Sequence, residues 1–390
     1  MFQHVALFRG DPILSLNAQF AEDTHPRKVN LSIGVYLDDN RQLPMMASVA
    51  AAKAQLQQAS HPYLPMEGLQ DYRAQARALL FGASDASRIA TIQTVGGSGA
   101  LRIGADFLAD WFPQARVWLS RPTWDNHWGI FSGAGFPVSD YPYYDPQTKG
   151  VDFNAMCDAL NALPAGDVVV LHGCCHNPTG ADLSDEQWRA LADLFSQRGL
   201  IPFFDMAYQG FGRGIYGDSF VVRHFHDLGI PLLVASSFSK NFALYGERCG
   251  ALQVACPDAR QAATVLSQLQ LTVRRNYSSP PTFGSRIVAS VLGDAALRAQ
   301  WEQELTQMRN RMRTMRELLH QELNTLAPQR DWDYLLKQQG MFSFTGLSAE
   351  QVATLRQQHG VYLIETGRLC VAALTKDVLP YVAQAIAALS

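Results

Sequence analysis

The sequence predicts an α/β fold, a mostly parallel central sheet flanked by helices, with a small α+β domain after it. Three observations carry this. Short apolar runs rich in branched and aromatic residues occur at 116–120 (RVWLS), 167–173 (DVVVLHG), 201–205 (IPFFD) and 231–237 (PLLVASS), each stopped by small or polar residues. The stretches between them have helical spacing, and strand–helix–strand alternation of this length favours parallel pairing. Toward the C-terminus, MFSFTGLS, VYLIETG and LCVAAL read as short strands around a helix at 349–359.

The helices can be justified residue by residue. In 184–199, Ser184 is an N-cap, Asp185 and Glu186 suit the positive first turn, and Gly199 suits the stop. From 298 to 326, Trp301, Leu305, Met308, Met312, Met315 and Leu319 recur at spacings of three or four, predicting one long helix. There is no internal repeat and no low-complexity segment.

Composition excludes several functions. A net charge of -3, with 47% hydrophobic and 17% charged residues, leaves no basic footprint for nucleic acid or an anionic membrane. No run approaches the roughly 18 apolar residues of a membrane span, and the first residues lack the pattern of a secretory signal. Six cysteines without framework spacing read as reduced thiols of a cytoplasmic protein. The lysines are few: 28, 53, 149, 240, 337 and 376. Only Lys240, in SSFSKNFALYGERCG, has aromatic and small neighbours throughout, so it is the best candidate for a perturbed amine.

Four motifs carry chemistry. TVGGSGAL (94–101) places three glycines and Ser98 before a helix, where backbone N–H groups can receive a phosphate; a tight turn is the plain alternative. It fits neither a P-loop nor a dinucleotide fingerprint. HGCCHNPTGADLS (172–184) ends a buried strand, which makes Asn177 a candidate to face a ligand site. Adjacent Cys174, Cys175 and His176 lack the spacing for one tetrahedral ion, so no metal is expected. IPFFDMAYQGF (201–211) ends an apolar run on Asp205, costly unless it meets a cation, with Tyr208 close behind. SFSK (237–240) fits the S-x-x-K of serine acyl-transferases, but neither K-T-G nor S-D-N follows. A phosphate cradle, a strand-end carboxylate, a phenol, an amine and Arg248 are together the inventory that pyridoxal phosphate requires.

GGSGAL, PTWDNH, CCHNPTG, FFDMAYQGF, SFSKNFALYGERCG, RRNYSSPP and TGRLCVA, in this order, closely resemble the class I aminotransferases of the aspartate and aromatic amino acid group. The resemblance runs from DPILSL (11–16) to the C-terminus and is nearest to bacterial aromatic-amino-acid (tyrosine) enzymes, through YLPMEGL, VRRNYSSPP and MFSFTGLS. It implies the fold type I architecture: an N-terminal arm at 1–10, a large cofactor-binding domain at 44–307, and a small domain from 11–43 and 308–390.

The resemblance also implies roles. Lys240 matches the Schiff-base lysine and proton shuttle, Asp205 the partner of the pyridinium nitrogen, and Tyr208 and Asn177 the hydrogen-bond partners of the ring oxygen. Trp124 would stack on the ring and His127 would support Asp205. Gly97, Ser98, Ser237 and Arg248 would hold the phosphate, together with Tyr63 from the other subunit of a homodimer. Arg368 would clamp the substrate α-carboxylate beside Gly34, Trp124 and Asn177. Arg274, also from the partner chain, would pair with a dicarboxylate side chain and swing aside for an aromatic one.

The implied reaction passes the amino group of tyrosine, phenylalanine, tryptophan or aspartate to 2-oxoglutarate by a ping-pong mechanism. Leu37, Leu43, Ser98 and Ser279 resemble the aromatic subgroup and Val35 the aspartate type, while Glu365 departs from both. The alternatives are an aspartate-preferring enzyme, a β-lyase or decarboxylase on the same fold, and a non-catalytic relative.

Overall fold

A computed structural model describes residues 1–7, 10, 12–56, 58 and 60–389, the side chains of 12–14 excepted. Phe8 and Arg9 of the expected arm, and Asp11 of the DPILSL stretch, lie outside the described residues. The chain divides into two compact units, Pro44–Arg311 with Gln338–Gly340, and Met1–Leu43 with Met312–Lys337 and Met341–Ser390.

The larger unit is built on a seven-stranded sheet. Its strands are β1 (Ile89–Val95), β2 (Val117–Arg121), β3 (Val138–Pro142), β4 (Val168–His172), β5 (Ile201–Met206), β6 (Leu232–Ser237) and β7 (Cys249–Ala255), in spatial order β1-β7-β6-β5-β4-β2-β3. Pairing is parallel from β3 across to β6; only β7 runs antiparallel to its neighbours, β6 and β1. The four predicted runs are therefore β2, β4, β5 and β6. The sequence reading had not singled out β1, β3 or β7: polar Thr91, Gln93, Ser139, Asp140 and Gln253 interrupt their apolar runs.

Alternation along β5 decides where its side chains go. Phe204 packs edge-on against Phe225 and beside Trp188, under helices Asp185–Arg198 and Phe220–Asp227. Phe203 points to the other face and meets Phe131 of helix Asn126–Gly133 edge-on. Asp205, two residues on, must share that second face. Each fully buried phenylalanine contributes about 1.5–3 kcal/mol relative to exposure, so this alternation is strongly held.

Helix Asp185–Arg198 begins with a capping box between Ser184 and Gln187 and ends at a left-handed Gly199, as its sequence predicts. The long helix spans Ala295–Leu326, three residues earlier than its apolar spacing implied. Asp294 caps it, accepting from the N–H groups of Ala296 and Leu297 at 2.9 Å each.

In the smaller unit, Val29–Asn30 pairs in parallel with Val361–Tyr362, and Phe342–Phe344 antiparallel with Arg368–Cys370. Helix Ala349–His359 has its own capping box at Ser348. LCVAAL is a strand only at its start, because Val371–Ala373 turns into a 3-10 helix.

Candidate active site

The parallel strands β4, β5 and β6 end together, and the candidate residues follow from those ends, where open α/β sheets place their ligands. Asp205 is the fifth residue of β5, in register with His172 of β4 and Ala235 of β6. Its Oδ2 lies 3.0 Å from His127 Nε2, and both side chains are buried. Burial alone would raise the Asp205 pKa. The His127 hydrogen bond, with the electrostatic influence of His127, His172 and Lys240, outweighs it and holds the carboxylate below its ordinary range.

Behind this pair runs a polar array that sequence reading missed. Thr123 Oγ1 is 2.8 Å from His127 Nδ1 and 3.1 Å from His172 Nε2. His176 stacks on Tyr143 at 4.0 Å and sits 2.9 Å from both Ser120 Oγ and Thr179 Oγ1. Burial, reinforced by the neighbouring histidine, lowers the His172 pKa to about 3 and holds that of His176 well below its ordinary value. Both rings are neutral dipoles rather than charges. The sequence signal was two histidines flanking the cysteine pair in HGCCH, but nothing local says that they face Asp205.

A second group assembles at the junction of β1, β7 and the helix Gly96–Trp111, which starts directly after β1. Cys249 and Gly250 pair with Val95 and Thr94, so the Arg248 side chain meets the first helical turn. A Cβ on Gly96 would lie 2.6 Å from Arg248 Nη2, and Gly96 has φ 68°; one on Gly97 would lie 3.1 Å from Ser237 Cβ. Only glycine leaves this approach open. Ser237 Oγ accepts from the N–H of Ser239 at 3.2 Å, and Arg248 Nη1 donates to Ser239 Oγ at 3.4 Å. The first turn of a helix, hydroxyls and a guanidinium thus meet in one cradle suited to a phosphate dianion. Ser98 is on the same first turn; Ser239 is an addition that the sequence reading did not make.

Lys240 lies just past β6, half-buried, with its Nζ 5.4 Å from the Tyr208 ring centroid. The Tyr208 hydroxyl accepts from Asn177 Nδ2 at 3.4 Å. Asn177 is joined to Pro178 by a cis bond. Trp124 is half-buried and packs edge-on to His127 at 5.3 Å. The turn that carries Lys240 is anchored next door: Trp301 Nε1 donates to Asn241 O at 2.7 Å and stacks on Phe242 at 4.7 Å.

The other predicted residues have their own surroundings. Arg368 and Gly34 belong to the smaller unit. There Arg368 is buried, donates from Nη2 to Ser32 O at 2.7 Å, and lies 4.2 Å over the Phe342 ring. A Cβ on Gly34 would come within 3.0 Å of that ring. Tyr63 is 97% exposed. Arg274 is exposed and donates to Ser278 Oγ, whereas Arg275 is tied to Asp110 at 3.0 Å. Glu365 is exposed.

An amine, an ionised carboxylate supported by histidine, and a phosphate cradle at a helix N-terminus define a pyridoxal-phosphate enzyme of the fold type I class. The chain belongs to the aminotransferases of class I and II, whose family model matches residues 26–386. It is 54% identical over 395 residues to the aromatic-amino-acid aminotransferase of Escherichia coli, covering both chains completely. Solved structures agree. An aromatic-amino-acid aminotransferase from Burkholderia pseudomallei, covalently bound to pyridoxal phosphate, superposes with TM-score 0.97 at 47% identity, covering 100% of this chain and 99% of that one. A psychrophilic aromatic amino acid aminotransferase from Psychrobacter, cocrystallised with aspartic acid, superposes with TM-score 0.98 at 46% identity and the same coverage. The family depends on pyridoxal phosphate, and the glycine-lined cradle beside Arg248 and Ser237 fits that group's phosphate.

Proposed function

We propose that this aminotransferase moves the amino group of aromatic amino acids and of aspartate to 2-oxoglutarate, in a ping-pong reaction. The observation that carries the reading is the grouping of Lys240, Tyr208 and ionised Asp205 at the ends of β5 and β6. The identity to a named aromatic-amino-acid enzyme supports the aromatic donors, and the likeness to one cocrystallised with aspartic acid supports the acidic one.

Each side chain has a task. Pyridoxal phosphate, when bound, supplies the electron sink that makes the substrate Cα–H acidic. Gly97, Ser98, Ser237 and Arg248 would hold its phosphate, and Trp124 would cover its ring. Asp205, kept ionised beside His127, would face the ring nitrogen, and Tyr208 and Asn177 the ring oxygen. Lys240 Nζ would anchor the cofactor and move the proton taken from the substrate Cα. Arg368, carried on Phe342, pairs with the substrate α-carboxylate beside Gly34.

The active enzyme is a homodimer, to which Tyr63 of one protomer contributes a phosphate contact in the other and Arg274 a side-chain carboxylate contact. The near-complete exposure of Tyr63 within its own chain supports this. So does the pairing of Arg275 with Asp110, which leaves Arg274 as the arginine for substrate. Residues 44–307 form the cofactor domain, 11–43 and 308–390 the domain that closes over substrate, and 1–10 an arm onto the partner. Six cysteines outside any disulfide favour a cytoplasmic setting. Among the described residues no helix is long and apolar enough to cross a membrane.

The test is a donor panel with 2-oxoglutarate. Glutamate should form from tyrosine, phenylalanine and aspartate. Release of ammonia or carbon dioxide instead would assign a lyase or decarboxylase.

A further inference from the structure

Adjacent cysteines seldom share an ion, and the sequence spacing of Cys174, Cys175 and His176 argues against one. The backbone changes the geometry. Cys175 is left-handed, with φ 53°, a region that non-glycine residues enter rarely. Its N–H donates to Asp182 Oδ2 at 2.7 Å, and that of His176 to Oδ1 at 2.8 Å, which fixes the turn. His176 then points to Ser120 and Thr179. The two thiols instead contact each other and approach Asp218, so that three ligand atoms lie within 4.8 Å of one another.

Asp218 is buried. Its Oδ2 accepts from Gly210 and Gly212 N–H at 2.8 and 3.0 Å, and its Oδ1 from Arg213 N–H at 2.6 Å. Three donors leave Oδ1 an acceptor position. Gln339 Oε1 lies beside Gly212 together with Asp218 Oδ1 and Cys175 Sγ. The point where a Cβ on Gly212 would stand is 2.7 Å from Asp218 Oδ1, 3.0 Å from Gln339 Oε1 and 3.2 Å from Cys175 Sγ. A cavity of about 430 Å³, lined by Cys174, Asp182, Asp185, Asp218 and Gln339 among others, gives access.

Arg213 is the guanidinium facing this group, and it is shared with Asp185 at 2.6 Å.

We propose that Cys174 Sγ, Cys175 Sγ, Asp218 Oδ1 and Gln339 Oε1 form a binding site for a thiophilic divalent ion of the zinc or cadmium type. Two sulfurs and two oxygens suit a tetrahedral soft ion, and a hard ion such as magnesium would not take the thiols. Two sulfurs bound to one zinc stand about 3.8 Å apart, so small side-chain rotations complete the site. On binding, each thiol gives its proton to solvent as its sulfur bonds the metal; no electrons change hands.

The holoenzyme is incubated with Zn²⁺ or Cd²⁺, desalted, and its metal counted by mass spectrometry, with X-ray absorption at the zinc edge. One ion per chain with two sulfur neighbours is expected. Cys174→Ser and Cys175→Ser keep side-chain size and should each weaken binding by at least about tenfold. Gln339→Leu should weaken it more modestly. Cys157→Ser, at a half-buried thiol elsewhere, should leave it unchanged. No retained ion, a coordination sphere without sulfur, or native retention by the Cys174→Ser/Cys175→Ser double variant would overturn the site.

Discussion

His127 Nε2 stands 3.0 Å from Asp205 Oδ2 at the end of β5, and both groups are sealed from solvent. Burial raises the pKa of the carboxylate, and that bond is the first of the opposing effects, joined by the influence of His127, His172 and Lys240. Replacing the donor, His127→Leu, lets burial dominate. A hydrogen bond to a charged group is worth about 1.5–3 kcal/mol, so turnover should fall roughly tenfold to a hundredfold. The loss should deepen as pH falls, because Asp205 then takes up a proton that the native enzyme excludes. A pH profile of kcat/KM checks this, and a pH-independent loss would point to packing alone.

The buried histidines make stability depend on acid. In the unfolded chain each titrates near its ordinary 6.5, whereas His172 titrates at about 3 in the fold. Between these values the unfolded state binds more protons, so stability rises with pH. Each pH unit below 6.5 should cost up to about 1.4 kcal/mol for His172 until its folded pKa is reached. Thermal unfolding across pH 4–7 measures the slope. His172→Gln, which cannot take up that proton, should flatten it, and an unchanged slope would remove His172 as a cause.

Gly96→Ala tests the cradle without removing a charged group. The added methyl would meet Arg248 Nη2 at 2.6 Å, at a residue whose φ of 68° already disfavours alanine. The arginine must shift. The expected outcome is an intact fold that loses pyridoxal phosphate on dialysis and recovers activity in excess cofactor. Native retention would mean that Arg248 is not a phosphate ligand.

Neighbouring arginines give opposite expectations. Arg275 is held by Asp110 at the surface, a pair worth about 0–1 kcal/mol, so Arg275→Leu should be nearly silent. Arg274→Leu should cut turnover of aspartate and glutamate about tenfold to a hundredfold, the scale of a lost bond to a charged group. Phenylalanine turnover should change little. Equal losses for both substrate types would dismiss Arg274 as the side-chain clamp.

How much of this was legible follows from where each signal lies. Continuous apolar runs marked β2, β4, β5 and β6, and caps such as Ser184 marked helix starts, because those cues are local. β1 and β7 were missed because their buried polar residues find partners from elsewhere: Gln93 bonds Pro281 O and Ser236 bonds Gln253. Asp205, Lys240 and the glycine turn stood out as residues wrong for a plain core or surface. Thr123, His172 and Ser239 did not, since their meaning comes from strands that become neighbours only on folding. The cysteine pair is the sharpest case. Its spacing argued against an ion, while the left-handed turn at Cys175 and the distant Asp218 supply what spacing cannot express.

The central claim is that Lys240 carries the cofactor and the proton. Borohydride reduction of the holoenzyme followed by peptide mass mapping tests it most directly. One pyridoxyl group per chain should appear on the peptide containing Lys240, and Lys240→Ala should bind cofactor unlabelled and without turnover. Label on any other of the six lysines, or native rates in Lys240→Ala, would contradict the account.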